Sequence, residues 1–504
     1  MALTHGADTR ALISSVARLD GLARDCSGAV TEMSRAASRL RAAWGGPDAD
    51  GFQRRAASSA REVEAVAEAV RCMARTVRRQ ARGQDAVSDD AGDGLAATAP
   101  APAPTTPAVP PSPVTPPRPL DELVPPPRLS TSPTDNARWW GRLTEAERAA
   151  VLAGHPGWLG NRDGIPFDVR DEANRAYLPV LRADLEAQHA ALLTGRDDAV
   201  ADWLGLGDQH RDLQRRWGGL ETWVSGDPTA LVEIEDKLAS LDAVERVSAL
   251  PDRQLVELDA SRDRIEAAVA VGDMQTADHV AVFTPGLTST VQGSLEGYDS
   301  DMYALRDKAT ADLQRERRGD ETVATVTWIG YQAPQLDGSV VFGGDRSVAS
   351  NHMAREGGRQ LASFDDGIAA ARPDDPHLTN LGHSYGSTTT SSGLQQTTAV
   401  DDAVLLGSPG PASGWRDWLT WSTPDHGLDP SRIHVLENDG DVVADLDYFG
   451  RDPSSDPGGY THLSTHESVW GERTTGHSSY LRDRTTAQHN ISQVVIDGRD
   501  KVGR

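Results

Sequence analysis

The later half of the chain alternates short apolar runs with intervals long enough for a helix, and this alternation most constrains the fold. The runs are rich in β-branched residues, and each ends at Gly or a polar turn. Short buried strands separated by helices form a parallel sheet that helices cover on both faces. The pattern therefore predicts an α/β architecture with strands at "HVAVFTPG", "ETVATVTWIGY", "HLTNLGHS", "DAVLLGSPG", "SRIHVLEN" and "ISQVVIDG".

Residues 137–278, which precede these runs, are expected to be mainly helical. Thr144 and Glu147 form the capping pattern of a helix over "TEAERAAVLAG". Two longer stretches, "RDEANRAYLPVLRADLEAQHAALL" and "TALVEIEDKLASLDAVERV", also read as helices. We therefore expect one large domain, 137–504, that consists of a helical front segment (137–278) and a core sheet (279–504).

The first 87 residues are predicted to form two long amphipathic helices. Apolar residues recur there at three- and four-residue spacing, and "AWGGPDADGF" interrupts them. Two helices alone bury little core, so we expect this hairpin to self-associate or to pair with another helical hairpin. Both cysteines of the chain, Cys26 and Cys72, lie in it, and whether they form a disulfide stays open.

Residues 88–136 are predicted to form a Pro-rich linker. The stretch "ATAPAPAPTTPAVPPSPVTPPRPL" cannot form helix or sheet ladders, because proline has no backbone N–H to donate. Chains of this composition form extended, semi-rigid spacers. A plain spacer is favoured here over a docking motif for a proline-binding domain.

The charge of the chain argues against polyanionic partners. The formal net charge is -25, whereas nucleic acids and anionic membranes bind basic surfaces. The sequence has no apolar run of about 18 residues and no basic start followed by an apolar core, so neither a transmembrane helix nor a Sec signal is predicted. We expect a cytoplasmic protein or one exported without a Sec signal. No Gly-rich nucleotide motif is present, and no cofactor is predicted.

The pentapeptide Gly382–Gly386, "GHSYG", fits G-x-S-x-G, the turn that presents the nucleophile of many serine hydrolases. It follows the predicted strand "HLTNLG" and precedes a run of small residues that suits a closely packed helix. The strained turn brings strand and helix so close that side chains at its two glycines would clash. Ser384 is therefore the candidate nucleophile.

An acid and a histidine follow Ser384 in the chain order that this architecture requires. Asp441, a few residues after the strand "RIHVLEN", is the preferred acid, and His477, on a Gly-preceded loop near the chain's end, is the preferred base. Asp439 is the second choice for the acid, and Asp445 and Asp447 are expected to be turn residues. The rival histidines are His462, His466 and His489. The spacing of His462, His466 and Glu467 also permits a metal site, but none is predicted.

Acyl transfer also needs N–H donors for the oxyanion of the tetrahedral intermediate. The backbone N–H of Tyr385, directly after the nucleophile, is expected to be one donor. The second is expected from the loop "TPGLTST", where Gly286 allows close approach and Leu287 or Thr288 donates.

The first 87 residues resemble the WXG100 (ESAT-6-like) family, because Trp44-Gly45-Gly46 matches its Trp-x-Gly turn between two helices. Members of that family form helical hairpin dimers and are associated with type VII secretion. The resemblance implies a helical partner and leaves a type VII-like route open.

Residues 138–498 resemble the actinobacterial α/β-hydrolase family DUF1023. The shared features include Trp139-Trp140, the Asn161–Pro166 stretch "NRDGIP", Arg-x-x-Ala-Asn at 170–174, "GHSYG", "LLGSPG" and a His-Ser-x-Tyr motif at 477–480. The resemblance implies an α/β-hydrolase fold and a triad of Ser384, Asp441 and His477. Arg170 and Asn174 either lock the front segment to the sheet or line the pocket, with the first favoured.

These features together predict a serine hydrolase of carboxylic esters, with lipid or acylated cell-envelope material as the expected substrate class. The alternative is a secretion- or envelope-associated interaction protein whose hydrolase fold is catalytically idle. A peptidase or amidase is a further alternative, since the same triad cleaves both kinds of bond.

Overall fold

The computed structural model describes residues 118–126, 131–204, 227–335, 352–411, 426–441, 444, 453, 459–498 and 501–503. The predicted hairpin, its two cysteines and most of the predicted linker lie outside these residues and stay predictions. Within the described segments, none of the helices combines the length and apolarity needed to cross a membrane.

One eight-stranded sheet organises the described residues, in the order β1-β2-β4-β3-β5-β6-β7-β8. Strand β2 is antiparallel to both its neighbours, and all strands from β4 onward across the sheet are parallel. This is the α/β-hydrolase fold that the sequence predicted. The strands are β1 Arg253–Asp259, β2 Glu266–Val271, β3 His279–Thr284, β4 Val323–Ile329, β5 His377–His383, β6 Asp402–Leu406, β7 Ile433–Leu436 and β8 Thr461–His462.

Helices precede the sheet and fill most of the intervals between its parallel strands. They are α1 Pro133–Gly141, α2 Glu145–Gly154, α3 Phe167–Leu204, α4 Asp227–Ser248, α5 Val291–Arg315, α6 His352–Ala371, α7 Tyr385–Leu394 and α8 Thr486–Val495. The predicted capping box of α2 is present, with the Thr144 hydroxyl accepting from the N–H of Glu147 and the Glu147 carboxylate accepting from the N–H of Thr144.

The two faces of the sheet bury alternate residues of each central strand. In β3, Val280 and Val282 contribute to a core covered by α6 and α7, whereas Ala281 and Phe283 contribute to a core covered by α5 and α8. All six residues of β3 are buried. This two-sided burial is why the strand reads as a continuous apolar run rather than an alternating one.

One sequence prediction about secondary structure was wrong, and the predicted start of the sheet lay too late in the chain. The stretch "ISQVVIDG" lies mainly in α8, not in a strand, because Ala487, Ile491, Val494 and Val495 repeat at helical spacing after the N-cap Thr485. Strands β1 and β2 lie inside 137–278, which was expected to be mainly helical. The sheet therefore begins at Arg253 rather than at His279.

The folded domain also begins before residue 137, inside the segment predicted to be linker. Leu123 is buried in a cluster with Trp140 and Val151. Arg118 donates to the Glu147 carboxylate at 2.7 Å. The end of the Pro-rich segment therefore packs on α1 and α2 rather than acting as a free spacer.

A buried ion pair joins the first strand, β1, to helix α5. Arg253 in β1 donates two hydrogen bonds of 2.8 Å to the carboxylate of Asp299 in α5, and the two side chains are only 5% and 2% exposed. The guanidinium also lies 5.0 Å from the ring centre of Tyr303. Both charged groups are shielded from water, so each is stabilised mainly by the charge of its partner.

Removing one charge of this pair should destabilise the fold far more than breaking an exposed pair on the same helix. We expect Asp299→Asn to lower the free energy of unfolding by about 3 kcal/mol, because Arg253 would keep an uncompensated buried charge. The control is Glu296→Gln, which breaks the exposed pair with Arg246 and should cost less than about 1 kcal/mol. Urea unfolding followed by tryptophan fluorescence measures both, and equal losses would contradict the argument.

Candidate active site

Ser384 lies at the turn between β5 and α7, at the carboxyl edge of the parallel strands. Its backbone has φ 57° and ψ -131°, a conformation that non-Gly residues rarely adopt. The turn is held by the N–H of Ser384, which donates to the Leu406 carbonyl of β6 at 2.9 Å. The structure thus places the G-x-S-x-G serine in a strained strand-to-helix turn, as the motif predicts.

Three glycines let the backbone approach this turn. A Cβ added at Gly386 would overlap the Thr284 carbonyl at the end of β3, and one at Gly382 would lie 2.6 Å from the Cα of Ser387. A Cβ at Gly286 would lie 2.6 Å from the Cβ of Ser384. The glycines are therefore required by close packing, and the loop after β3 contacts the candidate nucleophile.

Asp441 and His477 meet directly, although they come from different loops. The carboxylate accepts from His477 Nδ1 at 2.8 Å, and it also accepts the Tyr480 hydroxyl proton at 2.5 Å. Asp441 follows β7 and is 2% exposed. The preferred acid and the preferred base of the sequence analysis are thus hydrogen-bonded, with Nε2 of His477 left on the opposite side of the ring.

The surroundings of Asp441 keep it ionised. Burial by itself would raise its pKa, but the hydrogen bonds from His477 and Tyr480 outweigh burial and lower the pKa to about 2. Burial and the neighbouring carboxylate raise the pKa of Tyr480, so its hydroxyl stays protonated and donates. A fixed negative charge beside the imidazole follows from this arrangement.

Asn438 joins the acid loop to the histidine loop. Its N–H donates to the Tyr480 hydroxyl at 3.0 Å, and its amide group donates to the Gly476 carbonyl at 2.8 Å. Its side-chain oxygen accepts from the Thr474 hydroxyl at 2.5 Å. These bonds fix the relative position of the two loops before any substrate arrives.

His383 connects the histidine loop to the serine turn. Its Nε2 lies 2.7 Å from the His477 carbonyl, so that nitrogen carries the proton and donates. The two rings lie 4.8 Å apart. Burial lowers the pKa of His383 to about 4, and the neighbouring His477 ring adds to this, so His383 is neutral near pH 7. His383 therefore holds the backbone of His477.

The loop after β3 decides between the two oxyanion donors that the sequence left open. The N–H of Thr288 donates to the Pro334 carbonyl at 2.8 Å, so Thr288 is not the donor in this conformation. Thr288 also has a positive φ of 64°, which turns the chain away after Leu287. Of the two predicted residues, this leaves Leu287 as the candidate donor, beside Tyr385 at the start of α7.

The rival acid and histidines lie elsewhere. Asp439 pairs with Arg473 at 2.9 Å, on the surface. His462 is an exposed residue of β8, His466 lies 3.7 Å from Asp439, and His489 is buried in α8 against the Trp470 ring. Asp445 and Asp447 lie outside the described residues.

Among the described residues, three potential metal-ligand atoms converge within 4.8 Å only at His377, Asp402 and Asp497, so the His462, His466 and Glu467 alternative forms no such cluster.

Asn174 locks the front segment to the sheet, as the favoured alternative held, whereas Arg170 ties α3 to the turn that precedes it. The amide of Asn174 donates to the carbonyls of Gly160 and of Leu255 in β1, at 3.1 and 2.9 Å. Arg170 donates to the Gly160 carbonyl and pairs with Asp163 at 3.1 Å. Both side chains are buried.

The sequence reasoning did not assign Tyr480 or Asn438 to the site. Tyr480 was noticed only as part of the His-Ser-x-Tyr motif, and its spacing of three from His477 was the available signal. Asn438 carried no signal, because its role depends on how two loops of different strands meet.

A cavity of about 410 Å³ opens near the start of β2, which pairs with the carboxyl end of β4. Its lining includes Asp163, Glu257, Glu266 and Phe364. Glu257 accepts from the Trp328 indole N–H at 3.0 Å. Burial raises the pKa of Glu257 to about 8, and the nearby Asp163 charge adds to this. Glu257 is therefore protonated at neutral pH.

The profile of a family described as alpha/beta hydrolase matches residues 260–450. The uncharacterized protein Rv0963c of Mycobacterium tuberculosis is 35% identical over 270 residues, which cover 51% of this chain and 93% of that protein. A second uncharacterized protein of the same species, Rv2079, is 30% identical over 336 residues, 64% of this chain and 45% of the relative.

Solved structures show more distant likenesses. An esterase from Pyrobaculum calidifontis is 13% identical with a TM-score of 0.31, over 53% of this chain and 93% of the esterase. The 2,6-dihydroxy-pseudo-oxynicotine hydrolase is 12% identical with a TM-score of 0.29, over 72% of this chain and 95% of that enzyme. At these scores neither likeness bears on substrate.

Replacing Glu257 by Gln should remove a specific pH dependence of stability. The folded-state pKa lies above that of the unfolded chain, so the folded state holds this proton more tightly. The wild-type free energy of unfolding should therefore fall relative to Glu257→Gln by about 1.4 kcal/mol per pH unit from about pH 4.5 to pH 8, and level off above. Urea unfolding of both proteins at pH 5 and pH 8 measures this, and a constant difference would contradict it.

Proposed function

Because the chain belongs to an actinobacterial α/β-hydrolase family, we propose that it is a serine hydrolase that cleaves carboxylic esters through an acyl-enzyme. The observation that carries the proposal is the hydrogen-bonded Asp441–His477 pair, on loops tied by His383 to the strained turn of Ser384. Acyl transfer needs an ionised carboxylate, an imidazole and a serine nucleophile.

In the proposed first step, Ser384 Oγ attacks the ester carbonyl carbon while His477 Nε2 takes the hydroxyl proton. Asp441 accepts the Nδ1 proton of His477 in a hydrogen bond, which fixes the tautomer with Nε2 free to act as base. The carboxylate charge stabilises the imidazolium that forms. Because Asp441 has a pKa of about 2, it supplies this charge throughout the neutral range.

The tetrahedral intermediate carries its negative charge on the former carbonyl oxygen. We assign the backbone N–H groups of Tyr385 and Leu287 as its donors, one at the start of α7 and one on the Gly286 loop. When the intermediate collapses, the bond to the alcohol oxygen breaks and His477 gives its proton to that oxygen. Water then attacks the acyl-Ser384 ester by the same route in reverse and releases the acid.

The proposed substrates are lipid esters or acylated cell-envelope material. A net charge of -25 disfavours anionic substrates held by charge alone and is compatible with neutral esters. The Leu287 side chain is partly buried and packs against a core cluster that includes residues of β3 and α6, so the Gly286 loop has an apolar side chain. An apolar contact at this position suits an acyl chain.

Replacement of the proposed nucleophile should abolish covalent labelling. We expect Ser384→Ala to lose reaction with a fluorophosphonate probe and to lower p-nitrophenyl ester hydrolysis by about 10³-fold or more. The matched control is Ser391→Ala, a buried serine of the same helix that should keep both activities. Equal labelling of Ser384→Ala and wild type would refute the nucleophile. Labelling with cleavage of p-nitroanilides and not of the esters would assign an amidase instead.

Tyr480 should contribute to turnover through Asp441. We expect Tyr480→Phe to lower kcat by about tenfold to a hundredfold with KM nearly unchanged, because a hydrogen bond to a charged group is worth about 1.5–3 kcal/mol. The control is Ser478→Ala, an exposed neighbour on the same loop. Steady-state kinetics with one p-nitrophenyl ester measures both variants, and an unchanged kcat in a folded Tyr480→Phe protein would rule the role out.

A further inference from the structure

Three metal-binding side chains converge at the amino edge of the parallel strands, opposite the edge that carries Ser384. His377 is the first residue of β5, Asp402 is the first residue of β6, and Asp497 lies two residues beyond α8. Each offers one ligand atom, and the three atoms lie within 4.8 Å of one another. The fold thus brings together His377 and Asp497, which are 120 positions apart in the chain.

The spacing inside this cluster suits a metal better than a hydrogen bond. His377 Nε2 lies 3.5 Å from Asp402 Oδ2, beyond the usual range of about 2.7–3.2 Å for N–H···O. Two ligands of a tetrahedral Zn²⁺, each about 2.0–2.1 Å from the ion, lie about 3.3–3.4 Å apart. A small side-chain adjustment would therefore let both atoms bind one ion.

The surroundings support the ligands. His434 Nε2 lies 3.0 Å from the other oxygen of Asp402 and orients that carboxylate, as outer residues do in metal sites. The Val494 carbonyl, at the C-terminal end of α8, accepts a hydrogen bond of 3.3 Å from His377 Nε2, and a bound ion would replace the proton of that bond. Helix C-termini carry partial negative charge and favour a cation.

The cluster is also reachable from solvent on one side. Asp402 is fully buried, His377 is half-buried and Asp497 is exposed. An ion could bind the exposed carboxylate first and then reach the two inner ligands. Water would complete the coordination.

Two guanidinium groups compete for this charge. Arg432 lies 3.3 Å from Asp402 Oδ2, and Arg318 donates to the Ile496 carbonyl at 2.7 Å. The Arg432 side chain is partly exposed, so its guanidinium can move into solvent when a doubly charged ion takes its place beside Asp402. Arg432 therefore competes with a metal ion for Asp402, and removing its charge should strengthen metal binding.

We propose that His377, Asp402 and Asp497 bind one Zn²⁺ ion. A donor set of one imidazole and two carboxylates matches Zn²⁺ and related transition metals, whereas Mg²⁺ favours oxygen ligands and retains its waters. The site joins β5, β6 and the end of α8, so the bound ion would stabilise the fold rather than take part in ester cleavage.

The test is calorimetric titration of the full chain with ZnCl₂, and again with MgCl₂. We expect Asp497→Asn to weaken one Zn²⁺ equivalent by at least about tenfold. Asn tolerates the positive φ of 54° at this position, so the fold should be kept. His466→Ala, an exposed histidine outside the cluster, is the control and should bind as wild type does. MgCl₂ should give no comparable heat.

Arg432→Gln supplies the opposite expectation, because it removes the competing charge: the same Zn²⁺ equivalent should bind several-fold more tightly. Bound Zn²⁺ should also raise the melting temperature of wild type and not of Asp497→Asn. Unchanged Zn²⁺ affinity in Asp497→Asn, or weaker binding in Arg432→Gln, would overturn the site. None of these readouts depends on hydrolysis, so failure here leaves the proposed activity untouched.

Discussion

The strained backbone of Ser384 is the constraint on which the rest of the candidate active site depends. A non-Gly residue at φ 57° persists only where its surroundings over-determine it. Here the Ser384 N–H is bound to Leu406, and the hydroxyl of Ser387 donates to the Ser384 carbonyl at 2.6 Å. The glycines before and after the turn let β5, α7 and the loop after β3 close around it. The contacts with the parallel sheet therefore hold the backbone of Ser384 in its strained conformation.

The second requirement of this edge is a carboxylate that stays charged while buried. Asp441 loses most of its contact with water, and that cost is offset by donors from His477, from Tyr480 and from the Ala444 N–H at 3.3 Å. A charge that is hydrogen-bonded in advance needs no reorganisation when an imidazolium forms beside it. The same hydrogen bonds that keep Asp441 charged also hold the acid loop and the histidine loop together.

Much of the sheet and of the site could be predicted from the sequence, because both depend on local patterns. The runs at β3 to β7 are short and apolar, and the serine turn can be recognised from Gly382 and Gly386 on either side of Ser384. The stretch "ISQVVIDG" was predicted to be a strand because it is short, apolar and rich in β-branched residues. A helix that is buried on all sides can have the same composition. Strand β1 was missed because "RQLVELD" is half-buried and charged at alternate positions.

The remaining errors have a common physical cause, which is contact between distant segments. Thr288 was an acceptable oxyanion donor until its N–H was found on Pro334, a residue whose position no local pattern reveals. Leu123 belongs to the folded domain because Trp140 and Val151 cover it, not because its own neighbours are apolar. Tyr480 and Asn438 contribute through loops that are distant in the chain and meet only in the folded structure.

The bond from His383 to the His477 carbonyl has a mechanical meaning. His383 is covalently next to Ser384, so the base is anchored to the chain immediately beside its proposed partner rather than to a remote wall. If the histidine loop swings outward, it must either break this bond or pull on the strained turn itself. This one hydrogen bond therefore couples the position of the proposed base to that of the proposed nucleophile.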